Sequence, residues 1–220
     1  MAASAPEASL AEQTYRTLRR RIILGEYPQG ARLVEATLAA DLAVSRLPIR
    51  EALPQLENEG FVRTLPRRSS RVVEWTSADI TELFDARLSL ETLAARLAAR
   101  AAADGASLEP LQRAIEAEHA ALDSRDWLEV AETSTIVHEV IVGLGGSALL
   151  ASLMRAVTGR MTWLFYLTSA RDQHQQSDEH HEMLEAIRSG NERLAESIAF
   201  THVEKGRAPS LELLARPTGA

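Results

Sequence analysis

The chain contains no cysteine. Disulfides, iron–sulfur clusters, thiolate zinc sites and cysteine nucleophiles are therefore excluded. No apolar run approaches the ~18 to 20 residues needed to span a bilayer. The opening stretch, MAASAPEASLAEQ, lacks the basic and apolar regions of a signal peptide, so the expected location is the cytoplasm. There is no internal repeat and no low-complexity tract. A nucleophile elbow and a phosphate-binding loop are both missing, which removes two common routes to catalysis.

What the chain does have is an uneven charge. The formal net charge is −7 over 220 residues. Residues 1–73 hold 11 arginines against 8 acidic residues, a net of +3, so the remainder carries −10. A basic head on an acidic body suggests that an anionic partner meets the head. The length allows one large domain or two small ones, with a sizeable core.

The head reads as three helices and a hairpin. LAEQTYRTLRRRIILGEY spaces Leu10, Tyr15, Leu18, Ile22 and Ile23 at helical intervals, and Gly25 with YPQG stops it. VEATLAADLAV is a second, short helix with Leu38 and Leu42 on one face. Ser45 is a candidate N-cap for a third helix, with Pro48 tolerated in the first turn. Its apolar stripe is Ile49, Ala52, Leu53 and Leu56, and Gly60 ends it. FVRT and RVVEW are β-prone runs flanking LPRRSS, a hairpin with a basic tip. This order is that of a winged helix-turn-helix.

On the third helix Arg46, Arg50 and Pro54 recur at i, i+4 and i+8, roughly opposite the apolar stripe. Outward arginines on a docked helix can enter a major groove, where Arg pairs bidentately with guanine O6 and N7. Thr37 and Ser45 are candidate phosphate contacts. Arg67, Arg68 and Arg71 surround the hairpin tip and can reach an adjacent phosphate or the minor groove. Pro54 has no N–H and its ring presses on the Arg50 carbonyl, at ~3 kcal/mol in an ordinary helix interior. The helix is expected to bend or tighten there, behind the reading residues.

From Ser77 onward the patterning is helical throughout. One long helix has Ser77 as cap and Gly105 as stop; others are expected near 107–123, 126–144, 147–170, 177–189 and 191–206. Short connections imply an antiparallel bundle. The expected fold is mainly α, with a winged helix-turn-helix over residues 1–74 and an antiparallel six- to seven-helix bundle over 75–220. Arg87 shares a face with Ile80, Leu83, Phe84, Glu91 and Ala94, and Arg160 shares one with Leu153, Val157 and Leu164. A charge on an apolar stripe requires a partner. For Arg87, Glu91 at i,i+4 can be that partner.

The run from LGEYPQG to RVV, preceded by YRTLRRRI, resembles the GntR family of bacterial transcription regulators. Its VSR.P.REAL..LE.EG core is long and gapless. The helical body resembles the FadR-like branch with an FCD effector domain. The resemblance implies a homodimeric repressor on a pseudo-palindromic double-stranded DNA operator. It also implies a small organic-acid effector held in the bundle cavity by Arg87 and Arg160. A divalent metal such as Zn or Ni would be bound by His138, His180 and His202 from three helices, with His181 the alternative to His180. Where the family supplies an acidic or amide ligand one turn before the first histidine, this chain has Ser134. That leaves a position for water or an effector oxygen. Two departures lie in the head: Pro54 stands where the family usually has a basic residue, and RRSS where the wing commonly has glycine.

The rival reading is a metal-dependent hydrolase, since an open three-histidine zinc site can activate water. Yet HEVIV puts Val142 where a zincin helix needs its second histidine, and HEMLE from His181 puts Glu185 there. A DNA-reading head would also be unexplained, so the expectation is a regulator and not an enzyme.

Overall fold

A computed structural model describes residues 8–65, 69–169 and 173–215. The chain forms two compact units that divide between Glu74 and Trp75.

In the first unit, α1 (Leu10–Ile23), α2 (Glu35–Asp41) and α3 (Arg46–Asn58) surround a core of Leu18, Ile22, Leu38, Ile49 and Leu56. The Ser9 side chain caps α1 by accepting from the Glu12 N–H. Ser45 holds the N-cap position of α3, but its side chain makes no capping hydrogen bond. The turn into α3 passes through Ala43 at φ 53°, a left-handed conformation that costs an L-residue ~1–2 kcal/mol. α3 runs unbroken through Pro54, whose ring is on the exposed side.

The hairpin is present as β2 (Val62–Leu65) and β3 (Ser69–Val72). A third strand, β1 (Arg32–Leu33), was not expected from the sequence. The sheet is antiparallel in the order β1-β3-β2. Leu33, Val62 and Val72 face the core.

The second unit contains α4 (Ser77–Ala103), α5 (Glu109–Ser124), α6 (Trp127–Leu144), α7 (Ala148–Leu167), α8 (Gln173–Arg188) and α9 (Glu192–Ala215). α4 packs against α6, α7, α8 and α9. Ala94, Ala95, Ala98 and Ala99 are fully buried, so small side chains let neighbouring helices close on it. Its cap is Thr76 rather than Ser77, in a reciprocal box with Asp79. Asp126 and Ser147 cap α6 and α7.

The largest departures from the expected boundaries are at α8 and α9. α8 starts at Gln173, four residues before the predicted start, because tertiary burial of Gln176 and Ser177 stabilises a turn with no apolar periodicity of its own. α9 continues through Pro209 to Ala215 instead of ending at 206.

Candidate nucleic-acid interface and metal centre

On the first unit, Thr37, Ser45, Arg46 and Arg50 are all exposed, as a DNA contact requires. Arg67 and Arg68 lie outside the described residues. Arg50 has a partner the sequence did not indicate: its Nε donates to Glu35 Oε2 at 2.7 Å. Arg71 is part of β3 and donates from Nη1 to the Gly30 carbonyl at 2.7 Å.

The sheet register aligns three exposed arginines. Arg71 is opposite Arg32 on β1 and opposite Arg63 on β2, so all three share the outward face. Like charges directly opposite one another across strands are destabilising. Such a row is favourable where an anion meets it. The nearby Glu57 carboxylate is taken by the Thr64 N–H and hydroxyl, and Glu74 sits beside Gly30.

In the second unit, α6, α8 and α9 bring His138, His180 and His202 together. One candidate ligand atom from each falls within 4.8 Å of the others. The three rings are buried, with exposures of 2%, 0% and 7%. His181, by contrast, is exposed and turned to the Ser177 carbonyl.

Each histidine has a glutamate of its own. His138 Nδ1 donates to Glu91 Oε2 at 2.8 Å, His180 Nδ1 to Glu118 Oε2 at 2.6 Å and His202 Nδ1 to Glu179 Oε2 at 2.9 Å. With the proton on Nδ1, the Nε2 lone pair is free to act as a ligand. The Nε2 atoms of His138 and His180 are buried and lack a hydrogen-bond partner. Metal-bound imidazoles commonly show this arrangement, with a carboxylate behind the ring. The residues present therefore fit a divalent ion.

The electrostatics follow from burial. Burial drives the His202 pKa down to about 3, although Glu179 opposes it. Burial also lowers His138, against the pull of Glu91. Both rings are thus neutral and ready to ligate. Burial raises the Glu91 carboxyl, but Arg87 and His138 outweigh it and hold the group well below the usual carboxylate range. Glu118 and Glu179 are likewise lowered on balance: burial raises them, and their histidines, with Ser134 and Lys205 respectively, outweigh it.

Arg87 is buried and paired with Glu91 at 2.6 Å, the i,i+4 alternative of the sequence reading. Its guanidinium also lies 5.0 Å from the Phe165 ring centre and 5.2 Å from that of Phe84. Ser134 is buried, accepts from Gln176 Nε2 at 3.0 Å and donates to Glu118. It is thus tied to the carboxylate behind His180. Arg160 is on the exposed side of α7, whereas Met154, Met161 and Leu164 form the buried side. The structure does not bring it into the bundle interior.

The glutamates were missed as histidine partners. One signal was available: Glu118 interrupts the buried stripe of Leu111, Ala114, Ile115, Ala121 and Leu122. An acid in such a stripe needs a hydrogen-bonding partner.

Two family models match the chain. "Bacterial regulatory proteins, gntR family" covers residues 10–72 and "FCD domain" covers 82–205. The regulator YdhC of Bacillus subtilis is 28% identical over 193 residues, 86% of this chain and 86% of its own. The "Probable D-xylose utilization operon transcriptional repressor" of Paenarthrobacter nicotinovorans is 29% identical over 199 residues, 89% and 86% of the two chains. Among solved structures, a transcriptional regulator GntR from Rhodococcus sp. RHA1 is 26% identical with a TM-score of 0.74, covering 96% of this chain and 100% of that one.

Proposed function

The chain belongs to the GntR family of bacterial regulatory proteins and carries an FCD domain, so it is a transcription regulator rather than an enzyme, and we propose that it is a metal-assisted, metabolite-responsive repressor. In this reading two copies bind a pseudo-palindromic double-stranded operator, and a small organic acid in the bundle releases it. Repression is favoured by the relative named for a D-xylose operon.

The observation that carries the sensing half is the set of three buried histidines, each backed by its own glutamate, with buried, unpartnered Nε2 atoms on His138 and His180. His138, His180 and His202 would hold the ion. A bound divalent ion supplies a Lewis-acid anchor for a carboxylate. Glu91, Glu118 and Glu179 hold the Nδ1 protons and fix ring orientation. Ser134 steadies Glu118, and Arg87 balances the charge of Glu91. Arg87 can meet an effector oxygen only alongside or instead of that ion pair, so the metal is the primary anchor.

On the head, α3 would lie in the major groove with Arg46 and Arg50 toward the bases. Thr37, Ser45, Arg67 and Arg68 would contact the backbone. Pairing of copies is supported by the outer side of α7, where Leu149 is 72% and Leu153 50% exposed. Leu149, Leu153 and Ala156 are spaced by four and three residues, so an antiparallel second helix can set leucine against alanine.

The test has two arms. Calorimetric titration of chelator-treated protein with Zn or Ni should give one ion per chain, lost in His202→Ala. Stoichiometric binding unchanged in His202→Ala removes the three-histidine site. Selection from duplexes with a randomised centre should return a two-fold symmetric sequence; recovery of no common sequence refutes operator reading.

A further inference from the structure

We propose that Glu35 is a positioning residue for base reading, holding the Arg50 guanidinium in the orientation that selects guanine. The inference rests on the reading of Arg50 as a base contact. Its own evidence is the hydrogen bond between the two side chains.

Arg50 Nε donates to Glu35 Oε2 at 2.7 Å, with the arginine side chain 52% exposed and the glutamate 23%. The two residues come from different helices, α3 and α2, so the contact is set by the fold. Glu35 lies in the first turn of α2, where the helix dipole favours a carboxylate. The carboxylate is thereby held before DNA arrives.

The choice of donor atom matters. A guanidinium carries five N–H donors in a fixed fork. Committing Nε–H to Glu35 leaves the two terminal amino groups as a pair. That pair matches guanine O6 and N7 end-on. The alternative side-on mode uses Nε and is closed. The ion pair also removes rotamer freedom that a free arginine would lose on binding.

Glu35 acts against wrong partners as well. A carboxylate only accepts hydrogen bonds. A phosphate or a base acceptor brought near it is repelled, which penalises binding out of register. Removing the charge should therefore loosen choice while strengthening attachment to arbitrary DNA.

The experiment uses the full chain and a pool of duplexes with a randomised centre, selected by gel shift and sequenced. The proteins are wild type, Glu35→Gln, Glu35→Asp, Arg50→Ala and the Glu35→Gln/Arg50→Ala double variant, each checked for folding by circular dichroism. Wild type should select a guanine in each half-site that Arg50→Ala no longer selects. Glu35→Gln should lower preference for that same guanine about three- to tenfold, the scale of freeing one immobilised side chain, and bind a scrambled duplex more tightly. Glu35→Asp keeps the charge but draws the carboxylate back, and should fall between. In the Arg50→Ala background, Glu35→Gln should change nothing at that position, which a merely structural role would not predict. Guanine preference kept in Glu35→Gln but lost in Arg50→Ala overturns the positioning role alone. An Arg50→Ala protein that still selects every guanine overturns base reading and this proposal with it.

Discussion

Acidification from pH 7 to pH 5 should destabilise the metal-free second unit, and the size of the loss can be worked from His202. Its pKa is about 3 in the folded protein, because burial disfavours the charged ring. In the unfolded chain it returns to near ~6.5. Between those values the unfolded state holds the extra proton, so stability rises with pH. The contribution is fully present above the unfolded pKa and is lost as pH falls toward 3. From pH 7 to pH 5, His202 alone should account for about 2 kcal/mol, at ~1.4 kcal/mol per pH unit once the unfolded ring is protonated. His138 is lowered by the same cause and adds in the same direction. The assay is urea unfolding of chelator-treated protein followed by tryptophan fluorescence. Trp75, Trp127 and Trp163 all belong to the second unit, so the signal reports that unit. His202→Gln should lose about 2 kcal/mol less than wild type over this interval. Equal losses in the two proteins would refute the reasoning. Proton competition with metal at His138 and His202 should likewise set in below the ordinary histidine range, not at ~6.5 as an unburied imidazole would imply.

Arg63→Ala should weaken binding to selected and scrambled duplexes alike and reduce the salt slope by about 0.9; an unchanged slope removes the arginine row of the sheet from DNA contact. Pro54→Arg should raise the melting temperature, recovering part of the ~3 kcal/mol that proline costs inside a helix, and raise general DNA affinity. A lower melting temperature would mean that native packing requires the proline. Ser134→Asp places a second carboxylate beside Glu118, so the metal-free protein should melt lower and zinc should raise its melting temperature further than in wild type; an equal zinc effect sinks this expectation. Leu153→Glu should convert a dimer to a monomer by light scattering, and a dimer that persists rules out the outer side of α7.

Legibility differed between the two units for physical reasons. In the head, apolar spacing and turn residues located all three helices and the hairpin. β1 was invisible because a two-residue strand has no pattern of its own; only pairing with β3 defines Arg32–Leu33. In the body the helices were legible, but the direction some faces point was not. α7 is apolar on two sides: Leu150, Met154, Met161 and Leu164 are buried, while Leu149 and Leu153 are exposed. Periodicity could not say which side was the interior: Arg160, expected in the effector cavity, shares the exposed side with Leu153. For Arg87 the sequence held both alternatives, and the fold shows the ion pair with Glu91. The histidine cluster was legible through family resemblance. Its glutamate partners come from α4, α5 and α8, and pairings across helices leave no local spacing to read.

The polar centre of the second unit bears on how sensing and folding are linked. Each buried polar atom without a partner costs ~1–3 kcal/mol. Two such atoms, Nε2 of His138 and of His180, face each other's neighbourhood in a cluster whose Nδ1 atoms are already bonded. Any ligand that satisfies Nε2 removes that cost in the folded state only, and so stabilises the fold by mass action. α4 takes part directly. It carries Arg87 and Glu91, the pair behind His138, and its Thr76 cap is two residues from the boundary at Glu74. A change in the charge or position of Glu91 therefore acts on the element that continues the chain from the head. If binding at the histidines weakens attachment to the operator by some factor, operator binding must weaken the histidine site by the same factor. Metal and effector titrations carried out with and without operator duplex must agree on that number, and this reciprocity ties the two halves of the proposed mechanism into one measurable quantity.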